Sequence, residues 1–282
     1  MTKPSLAEKA ARFARLHDEG CFILPNAWDM PSAALIVEAG FDVLATTSAG
    51  VAFAQGLPDG ENIGRDRMLA VAGEIARRVP VPVSADLEAG YGAAPADVAE
   101  TVRRAIAAGL VGCNIEDSDP ATHKLFDLDQ AIARIKAGAE AARAAGLPDF
   151  VLNARTDPFL VALGTPAQNV DEAVRRANAF LSAGARSAFV PGPVDDATIG
   201  ALAKAIKGPL NVMAVARGHV PPLATLRTLG VRRVSLGGSL MSATYGFAQR
   251  TLKALTETGT FDYAAGSGVN HGNLTAMMRK YV

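Results

Sequence analysis

One pattern constrains this chain more than any other: a short apolar, β-rich run, a turn and a longer amphipathic stretch, repeated eight times. The runs are Phe22 to Pro25, Val43 to Thr47, Val81 to Asp86, Gly112 to Glu116, Phe150 to Ala154, Ser187 to Val190, Leu210 to Val215 and Val231 to Gly237. They are nearly continuously apolar, as strands buried on both faces are. Each gives way to a polar or small residue: Asn26, Ser48, Glu88, Glu116, Arg155, Pro191, Ala216 and Gly238. The stretches between them, such as Asp97 to Ala108 and Asp171 to Ala183, are rich in helix formers. Several stop at a glycine before the next run, at Gly40, Gly109, Gly184 and Gly230, where a helix C-cap needs left-handed backbone.

Eight such units in 282 residues favour a closed (β/α)8 barrel of the TIM type over an open, doubly wound sheet. No G-x-G-x-x-G follows a run to argue for the sheet. The expected organisation is one barrel domain over residues 1–258. A less regular C-terminal extension, 259–282, would pack on the barrel or on a neighbouring subunit.

Lysine plus arginine and aspartate plus glutamate number 28 each, so the formal net charge is zero. That balance favours neither nucleic acid nor a membrane surface, and a chain near zero charge tends to associate. The N-terminal segment carries charges throughout and lacks the apolar core of a signal peptide, and no apolar run approaches a membrane span. The two cysteines, Cys21 and Cys113, lie in apolar surroundings without metal-ligand spacing. They are expected to be reduced packing residues of a cytoplasmic protein.

In a barrel of this type the active site forms where the strands end. Asp86, Glu88 and Glu116 would converge there, Asp86 and Glu88 on one side of a strand because they stand two apart. Acids gathered in a low-dielectric rim need a cation. With no histidine or cysteine nearby, a hard oxygen-binding ion, magnesium before zinc, is expected. Arg155, ending the fifth run, needs a carboxylate partner, and either Glu116 or Asp157 could serve. It could also stabilise an anionic substrate or a developing enolate. The turn Thr46 to Gly50 offers hydroxyls and backbone N–H groups able to hold a substrate carboxylate.

Together these segments resemble the isocitrate lyase and phosphoenolpyruvate mutase superfamily, from about Cys21 to about Gln249. LPNAWDMPSA, TTSAGVAFAQGLPDGE, PVSADLEAGYG, CNIEDS and LNARTD carry the resemblance, in that order and spacing. It implies a barrel with magnesium at the rim, chelated by a small 2-oxo acid or its enolate. Asp86, Glu88 and Glu116 then look like the acids around the metal, and Asp59 like a further acid that orders metal-bound water. Arg155 looks like the substrate-contacting arginine. Thr47, Ser48 and Ala49 look like the carboxylate-binding stretch, with Asp86 and the seventh-run Asn211 also facing substrate. The resemblance further implies a homo-oligomer, a dimer or tetramer, that exchanges its last barrel helix.

The departures bear on the reaction. Lyases for isocitrate and methylisocitrate carry a K-K-C-G loop after the fourth strand, whose cysteine is a general acid. Here that region reads DSDPATHKLFDLDQ, where His123 and Lys124 are the only bases. The expected activity is therefore a magnesium-dependent lyase acting on a 2-oxo acid through an enolate, such as oxaloacetate decarboxylation. The alternatives are a phosphonopyruvate-type hydrolase or mutase, and a 2-oxo-acid binding protein with little turnover.

Overall fold

The computed structural model describes residues 4–161, 163–193, 195–215, 220–261 and 269–282. Ala216, expected to follow the seventh strand, and part of the C-terminal extension lie outside the described residues.

The barrel strands are β1 (Phe22–Leu24), β2 (Asn26–Ala27), β3 (Leu44–Thr46), β4 (Val83–Asp86) and β5 (Gly112–Glu116), then β8 (Val151–Arg155), β9 (Ser187–Phe189), β10 (Leu210–Met213) and β11 (Arg233–Ser235). A hairpin of β6 (Ser118–Asp119) and β7 (Lys124–Leu125) intervenes after β5. All barrel pairs are parallel, in the order β1-β11-β10-β9-β8-β5-β4-β3-β2. The first expected strand is thus two pieces broken at Pro25, which has no N–H for a ladder. β1 pairs with β11 and β2 with β3. The Asn26 side chain staples this seam: its Oδ1 accepts from Leu236 N and Gly237 N, each at 3.0 Å, while Nδ2 donates to Thr46 O at 2.7 Å.

The helices are α1 (Leu6–Asp18), α2 (Met30–Glu38), α3 (Ser48–Ala54), α4 (Arg65–Arg78), α5 (Pro95–Ala107), α6 (Leu128–Ala144), α7 (Pro166–Ser182), α8 (Asp196–Ala205), α9 (Leu223–Leu229), α10 (Ser239–Thr258) and α11 (His271–Arg279). The four glycines expected at helix ends have φ of 90°, 96°, 110° and 96° at Gly40, Gly109, Gly184 and Gly230. Outward strand residues such as Val83, Ala85, Cys113, Ile115, Leu152 and Ala154 pack into the apolar layer under the helices. Both cysteines are free and buried.

α1 closes the bottom of the barrel. Its Phe13 presses on Gly112, where an added Cβ would lie 2.9 Å from the Phe13 ring and 2.8 Å from the Val151 carbonyl. At the other end of the chain, α11 docks near α2: Lys280 pairs with Glu38 at 2.5 Å and the Tyr281 hydroxyl donates to the same carboxylate at 2.9 Å. α10 behaves differently. Only Met241 of its 20 residues is buried, and Tyr245, Phe247 and Leu252 are exposed. Among the described residues, no helix is long and apolar enough to cross a membrane.

Candidate active site

The inward positions of β5, β8, β9, β10 and β11 are polar below the rim. Ser187 Oγ donates to Asn153 Oδ1 at 2.6 Å, Asn153 Nδ2 to Asn114 Oδ1 at 2.6 Å, and Arg233 Nη2 to the same oxygen at 3.3 Å. Arg233 Nε donates to Ser235 Oγ at 3.2 Å, which donates to Asn211 Oδ1 at 3.1 Å. Asn211 therefore belongs to the barrel interior: it is 0% exposed, the second residue of its strand, and not at the rim. Apart from Asn211, sequence reasoning missed this polar lattice. Its signal was a polar residue at every second position, as in Asn114 and Glu116 or Asn153 and Arg155.

One layer higher, the rim brings Asp86, Glu88, Glu116 and Arg155 together with Asp59. Asp86 ends β4, and its Oδ2 accepts from Ser48 N at 3.2 Å and Ser48 Oγ at 3.0 Å. Thr47 caps α3 with its side chain, which puts the Ser48 N–H in reach of the strand end. Ala49 follows in the same turn, half-buried. Asp86 Oδ1 is buried without a hydrogen-bond partner among the described residues.

Glu88 reaches the cluster by a route other than the expected strand alternation. β4 has already ended, and Glu88 takes a left-handed φ of 51°. Its Oε2 accepts from Glu61 N at 2.5 Å, and its Oε1 accepts from the Tyr91 hydroxyl at 3.5 Å. Glu61 Oε1 in turn accepts from Tyr91 N at 2.6 Å. Glu61 and Tyr91 also have positive φ, 65° and 60°. Three strained non-glycine residues thus hold one another; strain of this kind is concentrated at functional sites.

Arg155 engages both of its candidate partners. Nη1 meets Glu116 Oε2 at 2.6 Å, and Nε and Nη2 grip Asp157 at 2.7 and 2.9 Å. A guanidinium has five N–H donors in a rigid fork, so two remain for a substrate. Asp157 is fixed by Ser118 Oγ at 2.9 Å. Asp117 lies beneath, accepting from Thr156 Oγ1, Asp157 N and Arg176 Nη1 at 2.7, 3.1 and 3.2 Å. These bonds tie the β6–β7 hairpin to β8 and α7. His123 and Lys124, on that hairpin, are exposed.

The electrostatics report one strain. Burial, then Asp59 and Asp86, push the Glu88 carboxyl up to about 8. Burial and Asp86 raise Asp59. Burial pushes Glu116 up, Arg155 pulls it down, and Asp157, Asp86 and Glu88 push it up again. Burial works against the charge of Arg155, but Asp157 and Glu116 hold it firmly protonated. Four acids around one arginine have the donor chemistry for a hard divalent cation: oxygen only, mutually repelling, with one buried carboxylate oxygen unpartnered. Among the described residues no three acids, imidazoles or thiols converge as ligands. The protein would then supply one or two oxygens and water the remainder, which is how magnesium is commonly held.

A closed parallel barrel with acids, an arginine and a hydroxyl turn at the C-terminal ends of its strands defines a small-molecule enzyme site. Residues 13–256 match the family of phosphoenolpyruvate phosphomutase. The chain belongs to the phosphoenolpyruvate mutase and isocitrate lyase superfamily, as its motifs lead one to expect. An uncharacterised protein of Mycobacterium tuberculosis is 35% identical over 248 residues, covering 87% of this chain and 89% of its own. A structure from Burkholderia cenocepacia J2315, named only provisionally as a lyase/mutase, superposes with a TM-score of 0.91 at 39% identity over 97% of both chains. Oxaloacetate acetylhydrolase in complex with its product oxalate superposes with a TM-score of 0.85 at 27% identity, over 96% of this chain and 94% of its own. The superfamily also includes a 2-methylisocitrate lyase and a phosphoenolpyruvate phosphomutase.

Proposed function

We propose that this protein is a magnesium-dependent carbon–carbon lyase that acts on a small 2-oxo acid through an enolate, with oxaloacetate decarboxylation as the simplest case. The observation that carries the reading is the unpartnered Asp86 Oδ1 in a ring of raised carboxyls beside a guanidinium with two free donors. Asp86, Glu88 and Glu116 would hold the ion, one or two of them directly and the rest through its water, with Asp59 orienting that water. When bound, the ion supplies Lewis acidity at the keto oxygen of the substrate.

The chain's own residues do the remainder. Ser48 and the α3 turn, with Thr47 and Ala49, receive the substrate carboxylate. Arg155 directs its free N–H groups at the oxygen where charge develops as the bond β to the keto group breaks, which is where fixed donors act most strongly. Carbon dioxide leaves without a proton, so this step needs no loop acid. The proton that completes pyruvate is taken at C3 from water.

A second reading has one observation of its own: the likeness to oxaloacetate acetylhydrolase favours hydrolysis of the neighbouring C2–C3 bond, with water adding at the keto carbon and acetate leaving. The test is product analysis from oxaloacetate with magnesium and with a chelator, corrected for metal-catalysed decay. Pyruvate establishes decarboxylation, and oxalate with acetate establishes hydrolysis. With neither, phosphate release from phosphonopyruvate decides between a phosphonate enzyme and a binding protein.

The chain is also proposed to work as a homo-oligomer. α10 leaves an apolar groove of about 300 Å³ lined by Trp28, Leu35, Phe41, Leu236 and Leu240. The same helix exposes Phe247 and Leu252, and patches of this kind mark protein interfaces. The proposed partner for this face is α10 of a second copy.

A further inference from the structure

The barrel interior beneath the acids holds a charge that this mechanism leaves unused. Arg233, the first residue of β11, is 0% exposed. Its two acceptors, Ser235 Oγ and Asn114 Oδ1, are both neutral, and its Nη1 has no hydrogen-bond partner among the described residues. Arginine keeps its proton in proteins, so this is a buried charge without a carboxylate in contact. Burial pulls its pKa down to about 9, with Asp86 foremost among the groups pushing it back. A buried ion paired only to neutral groups is costly, and an apolar side chain of the same length would fill the space at lower cost. Barrel interiors are ordinarily filled by branched apolar residues.

Its surroundings lead up to the acidic rim. Asn114, on which Arg233 leans, is the register partner of Asp86 and stands two positions before Glu116. Ser84 shares the inward side of β4 with Asp86. Ser84 Oγ and Asp86 Oδ1 are both buried without partners, and so is Nδ2 of Asn211, the register neighbour of Arg233. An unpartnered carboxylate oxygen above and an unpartnered guanidinium N–H below share one interior, with no ion pair among the described residues to neutralise either.

We infer that Arg233 is a positioning residue of the acidic site: acting from below on Asp86, it loosens the site's hold on a divalent cation and tightens its hold on an anionic 2-oxo acid. This rests on the reading of Asp86 as part of a metal and substrate site. The charge lets the rim gather four acids for a metal and still accept an anion. Without it, the same rim would bind metal too tightly and repel the substrate.

The test compares Arg233→Met, which keeps length and loses charge, with Arg233→Lys, which keeps charge. Manganese affinity is titrated on the metal-free full-length protein. Oxalate, a planar mimic of the enolate, is titrated at saturating manganese, and thermal melting is recorded alongside. Arg233→Met is expected to bind manganese about tenfold tighter and oxalate about tenfold weaker, a shift of the order of one charge acting across several ångströms of protein. Its melting temperature should be equal or higher, and Arg233→Lys should stay within about threefold of the parent for both ligands. Unchanged affinities in Arg233→Met, whatever its stability, overturn the inference and leave Arg233 a filler of space. Should that variant not fold, Arg233→Gln carries the same expectations and the same refutation. A parent that binds no manganese sinks the metal reading itself, and the inference with it. A parent that binds while the neutral variants match it sinks the inference alone.

Discussion

Glu61 and Glu88, 27 positions apart, are locked by a 2.5 Å hydrogen bond from the backbone N–H of one to the carboxylate of the other, and both hold left-handed backbone. The segment around Asp59 is thereby tied to the acid proposed to lie beside the metal. Position and charge of Glu88 are separable, because an amide oxygen can accept the same bond.

Glu88→Gln should therefore fold and, without metal, melt at or above the parent at neutral pH, while binding magnesium at least about tenfold more weakly and losing most turnover. Calorimetric titration with magnesium, paired with circular dichroism, checks both halves. Full activity with unaltered magnesium dependence would refute the metal assignment.

Arg155→Lys should lower kcat by about a hundredfold or more, because one ammonium cannot hold Glu116 and Asp157 and still direct donors at substrate. Steady-state kinetics on whichever substrate proves active decides it. Unchanged turnover would make Arg155 a structural residue.

The raised carboxyls give a signed pH dependence. Glu88, at about 8 in the folded protein, lies above its unfolded value, so the folded state binds the extra proton between the two. Stability of the metal-free protein should then fall as pH rises from about 5 to about 8. Magnesium, which displaces that proton, should raise the melting temperature more at pH 8 than at pH 6. Melting curves at both pH values, with magnesium and with chelator, test it; an equal magnesium effect would contradict it.

Leu252→Glu places a charge on the most exposed apolar residue of α10 and should shift the protein toward smaller species in sedimentation velocity. An unaltered sedimentation coefficient would show that α10 lies outside any interface.

Much of the fold was legible because its signals are local. The eight apolar runs became barrel strands, and the glycines at 40, 109, 184 and 230 have the left-handed backbone that the C-caps required. The break at Pro25 was not read, since a proline ending a run looks the same whether the strand stops or changes partner. The acids at strand ends were found because a carboxylate after an apolar run is unusual. Glu88 reached the rim through a positive φ that alternation does not predict. The Asn114, Asn153, Ser187 and Arg233 lattice escaped because a closed barrel hides its inward face, and polar residues there satisfy one another across strands far apart in the chain.

The staple at Asn26 sets a timetable for making the molecule. Its oxygen accepts from residues 210 and 211 positions downstream, so closure of the barrel waits for the last strand. Contacts of such separation are the slowest to form. During synthesis the acids of β4 and β5 emerge long before the seam can shut. The nascent chain must carry an unsealed half-barrel, with its first strand still lacking β11 beside it, until residue 237 has left the ribosome.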